Sequence, residues 1–460
     1  MNTSPVFNRR TTPLRGCFRS LLCPARITPR VLIIYCSFFI TITILLGLRM
    51  HVKHYLSAVL YGLPALAQTT QSSSSSSSST SATDPFKVYT ISAENITAKL
   101  IPYGARLISL MVPDRDGKEQ DVVIGYDDPK AYLNDTETVH TFFGAVVGRY
   151  ANRIKNGTFT IGTNEYHVPE NENNGTDTLH GGKVGYDQRN WTVTAHSKSS
   201  VTFTLFDQGW EDFPGDVLTH AIYSVDTTVT PQNPKGLPQL TTQLVSLALT
   251  EATPIMLSNH IYWNLNAFKA PNVLNDTFLQ LPYSNRLVAT DGILIPNGTI
   301  LTVDAFHGAP DFTEGKLIGA DLKDTYGMCG TDCTGYDTCW LVDRPPQYAA
   351  PDSLVPILRM NSSATGISLE VASNMPALQI YTCDNAKMDY LPIKPSQEKR
   401  NKEEGKEGAK NVMQYGCVVI EPEGWIDGIN HPEWGQLPLQ IFSPNDGPAV
   451  NRATYQFGTV

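Results

Sequence analysis

From Phe86 onward, short apolar runs recur between turn signals. Phe86–Gly125 reads as successive strands. Ile101–Asp114 is apolar-rich and partly alternating, Asp116-Gly117 marks a turn, and Asp121–Tyr126 is a further buried strand. Val201–Asp226 holds alternating strands around the turn Phe213-Pro214-Gly215-Asp216, and Leu244–Leu249 is another strand. Met256–Leu265 is an aromatic-rich strand that carries His260 and ends in Asn264. Asp337 heads the apolar run that ends at Leu341, and Ala377–Thr382 is a strand with one amide, Gln379. Val418–Ile420 is a buried run that delivers one carboxylate, Glu421, at its end, before Pro422, Gly424 and Gly428 bend the chain away. The pattern predicts an all-β sandwich, a single large domain of about residues 85–460. Lys394–Lys410 breaks the pattern: it is dense in charge and has no apolar face, which predicts a mobile inserted loop. There is no internal repeat, no phosphate-cradling glycine loop and no nucleotide fingerprint.

Charge and the N-terminus change the picture in two ways. The net charge of −9 argues against nucleic acid as a partner and leaves a neutral small molecule open. Upstream, within residues 1–49, six arginines precede the apolar run Val31–Leu48, the pattern of a single membrane anchor. Residues 50–67, opening at Met50, have the basic, apolar and small-residue zones of a secretory signal peptide. Two export signals in tandem are redundant, which favours a start at Met50 with the preceding residues as an extension. Residues 68–84 contain an unbroken serine run and predict a flexible linker. Both readings of the start carry the domain out of the cytosol. The sequons at Asn95, Asn134, Asn156, Asn174, Asn190, Asn275, Asn297 and Asn361 agree with a secreted glycoprotein. Of the domain's cysteines, Cys329, Cys333, Cys339, Cys383 and Cys417, at least one is unpaired within the chain because their number is odd. The cluster at 329–339 could hold a disulfide, and with no histidine at zinc-like spacing no metal is expected.

The candidate chemistry lies at strand ends and glycine-flanked loops. Burial would raise the Glu421 carboxyl and make it a stronger base. His180 precedes two glycines on a loop that can approach a ligand closely. Arg149, Asn152 and Arg153 sit in GRYANRI, where guanidinium and amide groups can fork onto sugar hydroxyls or carboxylates. Each feature alone has a plainer explanation: a strand ending at the surface, a structural histidine, a solvated basic turn.

Together the blocks GRYANRIKNGTF, TLHGGKVGYDQRNW, SNHIYWNL, GYDTCW, LQIYT and IEPEGWIDGINHP, in that order, resemble the aldose 1-epimerases, or mutarotases, from about Phe86 to Val460. The resemblance implies the galactose-mutarotase-like β-supersandwich fold and interconversion of the anomers of free aldoses such as glucose or galactose. It implies Glu421 as general base, His260 as general acid and His180 as the second active-site histidine. Asn152 and Arg153 match the family's substrate-contacting pair, and Asp337 and Gln379 a hydroxyl-binding carboxylate and amide. It implies no cofactor and no metal, a monosaccharide as the only small-molecule partner, and a monomer. Four positions depart from the family pattern: Ile261 and Trp263 in the histidine block, Glu423 after the glutamate, and Cys383 after LQIYT. The rival reading is a non-catalytic carbohydrate-binding module of the same fold. Such a module has no use for Glu421, His260 and His180 together. A relative acting on sugar phosphates would need more basic residues around the pocket.

Overall fold

Two large antiparallel sheets pack face to face, and the difference in their burial patterns tells where the site is. The structure, a computed structural model, describes residues 83–406 and 408–460. In the nine-stranded sheet, Asp216–Asp226 buries every second residue, among them Val217, Ala221, Tyr223 and Val225, and leaves the others part-exposed. Its neighbour Gln239–Ala248 does the same. That alternation is the mark of a sheet with one wet face. The seven-stranded sheet runs, from one edge, Pro296–Thr302, Arg286–Thr290, Asp337–Leu341, Ala377–Tyr381, Val418–Glu423, Ser258–Trp263 and Ala145–Val147. Its central strands Ser258–Trp263 and Val418–Glu423 are buried at every position, so both faces are covered.

Side chains along a strand point alternately to opposite faces. On one face, Ile261, Trp263, Trp340, Leu378, Ile380, Val418 and Ile420 join the core shared with the nine-stranded sheet. The Trp263 ring lies 5.0 Å from that of Tyr455 and 5.9 Å from that of Phe457, both on the Ala449–Thr459 strand of the opposing sheet. The other face therefore carries the opposite parity: His260 and Tyr262, Asp337, Gln379 and Tyr381, and Glu421 and Glu423. The all-β sandwich read from the sequence is the observed architecture.

Several local expectations are corrected. Of Ile101–Asp114, Ile101 closes the strand Ile96–Ile101, the chain turns at Ala105, whose φ is 46°, and Arg106–Pro113 is the next strand. The run from Asp121 onward leaves the regular ladder at Asp121, although Val122, Val123 and Ile124 are buried. The Lys394–Lys410 stretch contains an α-helix, Pro395–Glu403, and polar anchors tie it down. The Nζ of buried Lys394 donates to the carbonyls of Ile108 (2.6 Å) and Val123 (3.0 Å) and pairs with Asp121 at 2.9 Å. Gln397 and Asn401 donate to the carbonyls of Asp121 and Ala267, and Glu404 pairs with Lys269 at 2.8 Å. Hydropathy cannot register such a segment, because what orders it is charge and amide groups meeting buried carbonyls. Two disulfides form, Cys329–Cys333 and Cys383–Cys417, and Cys339 is free and buried. The expected anchor, signal peptide and serine linker lie outside the described residues, apart from the linker's last two, Thr83 and Asp84. Among the described residues no helix is long and apolar enough to cross a membrane.

Breaking the Lys394–Asp121 pair strands a carboxylate that is 2% exposed. Lys394→Met is expected to destabilise the domain by about 3–5 kcal/mol, measured by urea unfolding against wild type.

Candidate active site

A pocket of about 810 Å³ opens over the face of the seven-stranded sheet that the core does not cover. Its walls include every residue to which the family resemblance gives a role: Glu421, His260, His180, Asn152, Arg153, Asp337 and Gln379. Strand register explains the convergence. Gln379 is paired with Glu421, Asp337 with Tyr381, and Ile261 with Ile420. The odd-numbered side chains of the glutamine and glutamate strands thus stand in one row with Asp337, and His260 stands beside Glu421. The His260 Nε2 lies 3.6 Å from Glu421 Oε2. The ladder between these two strands stops at Ile420 because Pro422 has no N–H to give. Its carbonyl instead accepts from Ser258 Oγ (3.1 Å) and Asn451 Nδ2 (2.7 Å), so side chains hold the strands where the backbone ladder cannot.

His180 comes from a loop. Its φ is 51°, and Gly181 follows at 91°. A Cβ on Gly181 would stand 2.0 Å from the Gly148 carbonyl oxygen, so only glycine allows this approach. The Asn152 backbone N–H donates to His180 Nδ1 at 3.1 Å. With Nδ1 an acceptor, the neutral ring carries its proton on Nε2 and presents a donor to the pocket. His180 and His260 stand edge to face, 5.1 Å between centroids.

The carboxylates are layered. Glu421 is at the floor, 2% exposed. Glu423 is wholly buried behind it and accepts from Asn152 Nδ2 at 3.0 Å. Asn152 Oδ1 in turn accepts from the Arg153 backbone N–H, so Asn152 fastens its neighbours together as well as lining the wall. Arg153 makes a two-pronged pair with Glu172, 2.7 and 2.9 Å, and Gln379 Nε2 donates to Asp337 at 2.5 Å. Burial, then the charges of Glu423 and Asp337, push the Glu421 carboxyl well above the usual range. Burial also lifts Glu423 to about 8 and raises Asp337, against the pull of Arg153. Burial moves the imidazoles the other way: His260 falls to about 3, and His180 falls well below its ordinary value, with His260 adding to the effect. Burial thus disfavours the charged form of both Glu421 and His260. Glu421 Oε1 and His260 Nδ1 are buried with no hydrogen-bond partner among the described residues. Atoms left so cost free energy unless a ligand meets them.

Atoms of His180, His260 and Glu421 lie within 4.8 Å of one another, a spacing that could hold a cation. As arranged, however, His180 offers an N–H rather than a lone pair.

Some expectations change here. Arg149 does not reach the pocket; it is buried against Asp207 (2.8 Å) and the carbonyls of Pro214 and Gly215. Ile261 and Trp263 face the inter-sheet core, so those departures from the family pattern do not reshape the pocket. Cys383 is bonded to Cys417, which ties the end of the glutamine strand to the start of the glutamate strand. The sequence reading missed Tyr262, Tyr381, Phe142, His140 and Glu172, all in the pocket wall. Period two from His260 and from Gln379 would have found the two tyrosines. Glu172 and the His140–Phe142 loop carry no such signal.

The family described as Aldose 1-epimerase matches residues 87–443. A protein of Arthroderma benhamiae named "Probable aldose 1-epimerase" is 57% identical over 385 residues, 82% of this chain and 87% of that one. The galactose mutarotase of Mus musculus is 29% identical over 367 residues, 80% of this chain and 92% of its own. Among solved structures, a GalM/aldose epimerase homologue from C. elegans superposes with a TM-score of 0.65 at 26% identity, covering 81% of this chain and 99% of that one. The chain belongs to the aldose 1-epimerase family.

Proposed function

We propose that this protein is a mutarotase that interconverts the α and β anomers of free aldoses such as glucose or galactose by acid/base ring opening. The observation that carries the reading is the Glu421–His260 pair, facing each other at the floor of a polar pocket with the His180 N–H beside them. Ring opening needs a proton removed from the C1 hydroxyl and one given to the ring oxygen. Glu421 as carboxylate takes the first and His260 as imidazolium gives the second. The C1–C2 bond then rotates. Closure on the other face reverses both transfers: Glu421 returns its proton to the C1 oxygen and His260 takes one from the ring hydroxyl.

The pair thus alternates between an ion pair and a neutral pair. Burial favours the neutral pair, which is the form the pair has while the sugar is open. The His180 N–H steadies an oxygen of the ring, and Asp337, Gln379 and Arg153 hold hydroxyls. Since all these groups come from one chain, a monomer suffices. A binding module would need the amides and aromatics but not this acid/base set. Polarimetry on freshly dissolved α-D-glucose and α-D-galactose tests the reading. The wild type is expected to speed the decay of optical rotation, and Glu421→Gln or His260→Ala to cut the rate by about 10²–10⁴-fold. Full activity in either variant, or none in the folded wild type, would reject it.

We also infer that the domain works outside the cytosol. Support comes from two disulfides with the remaining domain cysteine buried, and from exposure of the sequon asparagines except half-buried Asn361. Protein collected from the medium of an expressing eukaryotic cell should drop in apparent mass on treatment with an N-glycosidase. Retention in the cytosol without glycans would contradict the inference.

A further inference from the structure

We propose that Phe142 is the apolar platform of the pocket, the wall against which the C–H face of the sugar ring packs, and that His140 is a positioning residue for it. The proposal rests on the mutarotase reading and adds to it the group that recognises the sugar's apolar face. Phe142 lines the pocket and is only half-buried there, among polar neighbours. Its ring is 4.8 Å from that of His180, at 64° to it, and 5.6 Å from that of His260. His140 stacks on it at 4.0 Å. A pyranose held between Glu421 and the two imidazoles has its hydroxyls spent on polar groups, and its C–H face needs a flat apolar partner.

The loop that carries Phe142 supports the same conclusion. His140 and Phe142 have φ of 54° and 60°, a region unfavourable to both residue types. Such a backbone persists only where its surroundings over-determine it. Here each residue of the loop is pinned. His140 Nε2 bonds to buried Asp187 at 2.9 Å. The Thr141 N–H and hydroxyl donate to Asp135, at 3.0 and 2.8 Å. The Tyr262 hydroxyl donates to the Thr141 carbonyl at 2.6 Å. Arg106 donates to the Phe143 carbonyl at 2.9 Å and also to the Asp187 carbonyl. The next residue, Gly144, donates to the carbonyl of His260 itself, at 2.9 Å. The platform and the acid are therefore parts of one braced unit, and nothing in the proton transfers uses Phe142 or His140. Binding the ring is what remains for them to do.

The test separates KM from kcat in the mutarotation assay. Phe142→Ala is expected to raise KM about ten-fold, close to 1.4 kcal/mol of lost binding, with kcat within about two-fold of wild type. Phe142→Tyr should restore KM. Phe142→Leu, which stays apolar and fills most of the volume, should still bind weakly, and it replaces the alanine variant if that one fails to fold. His140→Ala should raise KM in the same direction, and its effect should not add to that of Phe142→Ala. A second readout needs no turnover: saturation transfer by NMR from aromatic protons to the ring C–H groups of a 1-deoxy sugar, which cannot open. The signal is expected with wild type and lost with Phe142→Leu. Unchanged KM in folded Phe142→Ala, a fall in kcat at constant KM, or an undiminished transfer signal would overturn the proposal. If wild type fails to speed mutarotation, the functional reading falls, and the 1-deoxy sugar still decides whether Phe142 is the platform.

Discussion

The structure depends on keeping a carboxyl and an imidazole buried and face to face on a sheet whose other face is sealed by apolar side chains. Burial is the largest of the causes that move Glu421 up and His260 down. Burial disfavours the charge on both groups, and a small change in what surrounds them shifts that balance. A sugar hydroxyl and a ring oxygen between them are such a change. Were the pair open to water, both groups would return to their ordinary values and the exchange would lose its driving balance.

The rest of the fold holds that pair. The contact of Trp263 with Tyr455 and Phe457 locks the histidine strand to the opposing sheet. Since a one-residue slip would turn His260 into the core, the packing of Ile261 and Trp263 fixes the chemistry as firmly as any hydrogen bond in the site. Asn152 does comparable work from the other wall. Its backbone sets the His180 tautomer while its side chain secures Glu423. The Cys383–Cys417 bond joins the strands that carry Gln379 and Glu421.

Much of this was legible in the sequence. Val418–Ile420 announces a buried strand with Glu421 at its end, and the order of the motif blocks carries the family. What was not legible has physical reasons. Lys394–Lys410 looked mobile because its order comes from a buried lysine meeting Asp121 and two carbonyls, a long-range fit that local hydropathy does not contain. Arg149 looked like a ligand group because a buried arginine and a binding arginine read alike until Asp207, distant in sequence, is placed beside it. Ile261 and Trp263 looked able to reshape the pocket until their parity was known. The Phe142 loop is invisible to pattern reading because it rests on left-handed backbone at residues that rarely adopt it.

In ligand-free protein, burial disfavours the charged form of both His180 and His260. ¹⁵N NMR of the histidine side chains, followed from pH 8 to pH 5, reads this. His180 is expected to remain a neutral Nε2–H tautomer and His260 to stay uncharged throughout, since burial holds His180 well below its ordinary value and His260 at about 3. An imidazolium signal from either ring anywhere in that range would contradict this.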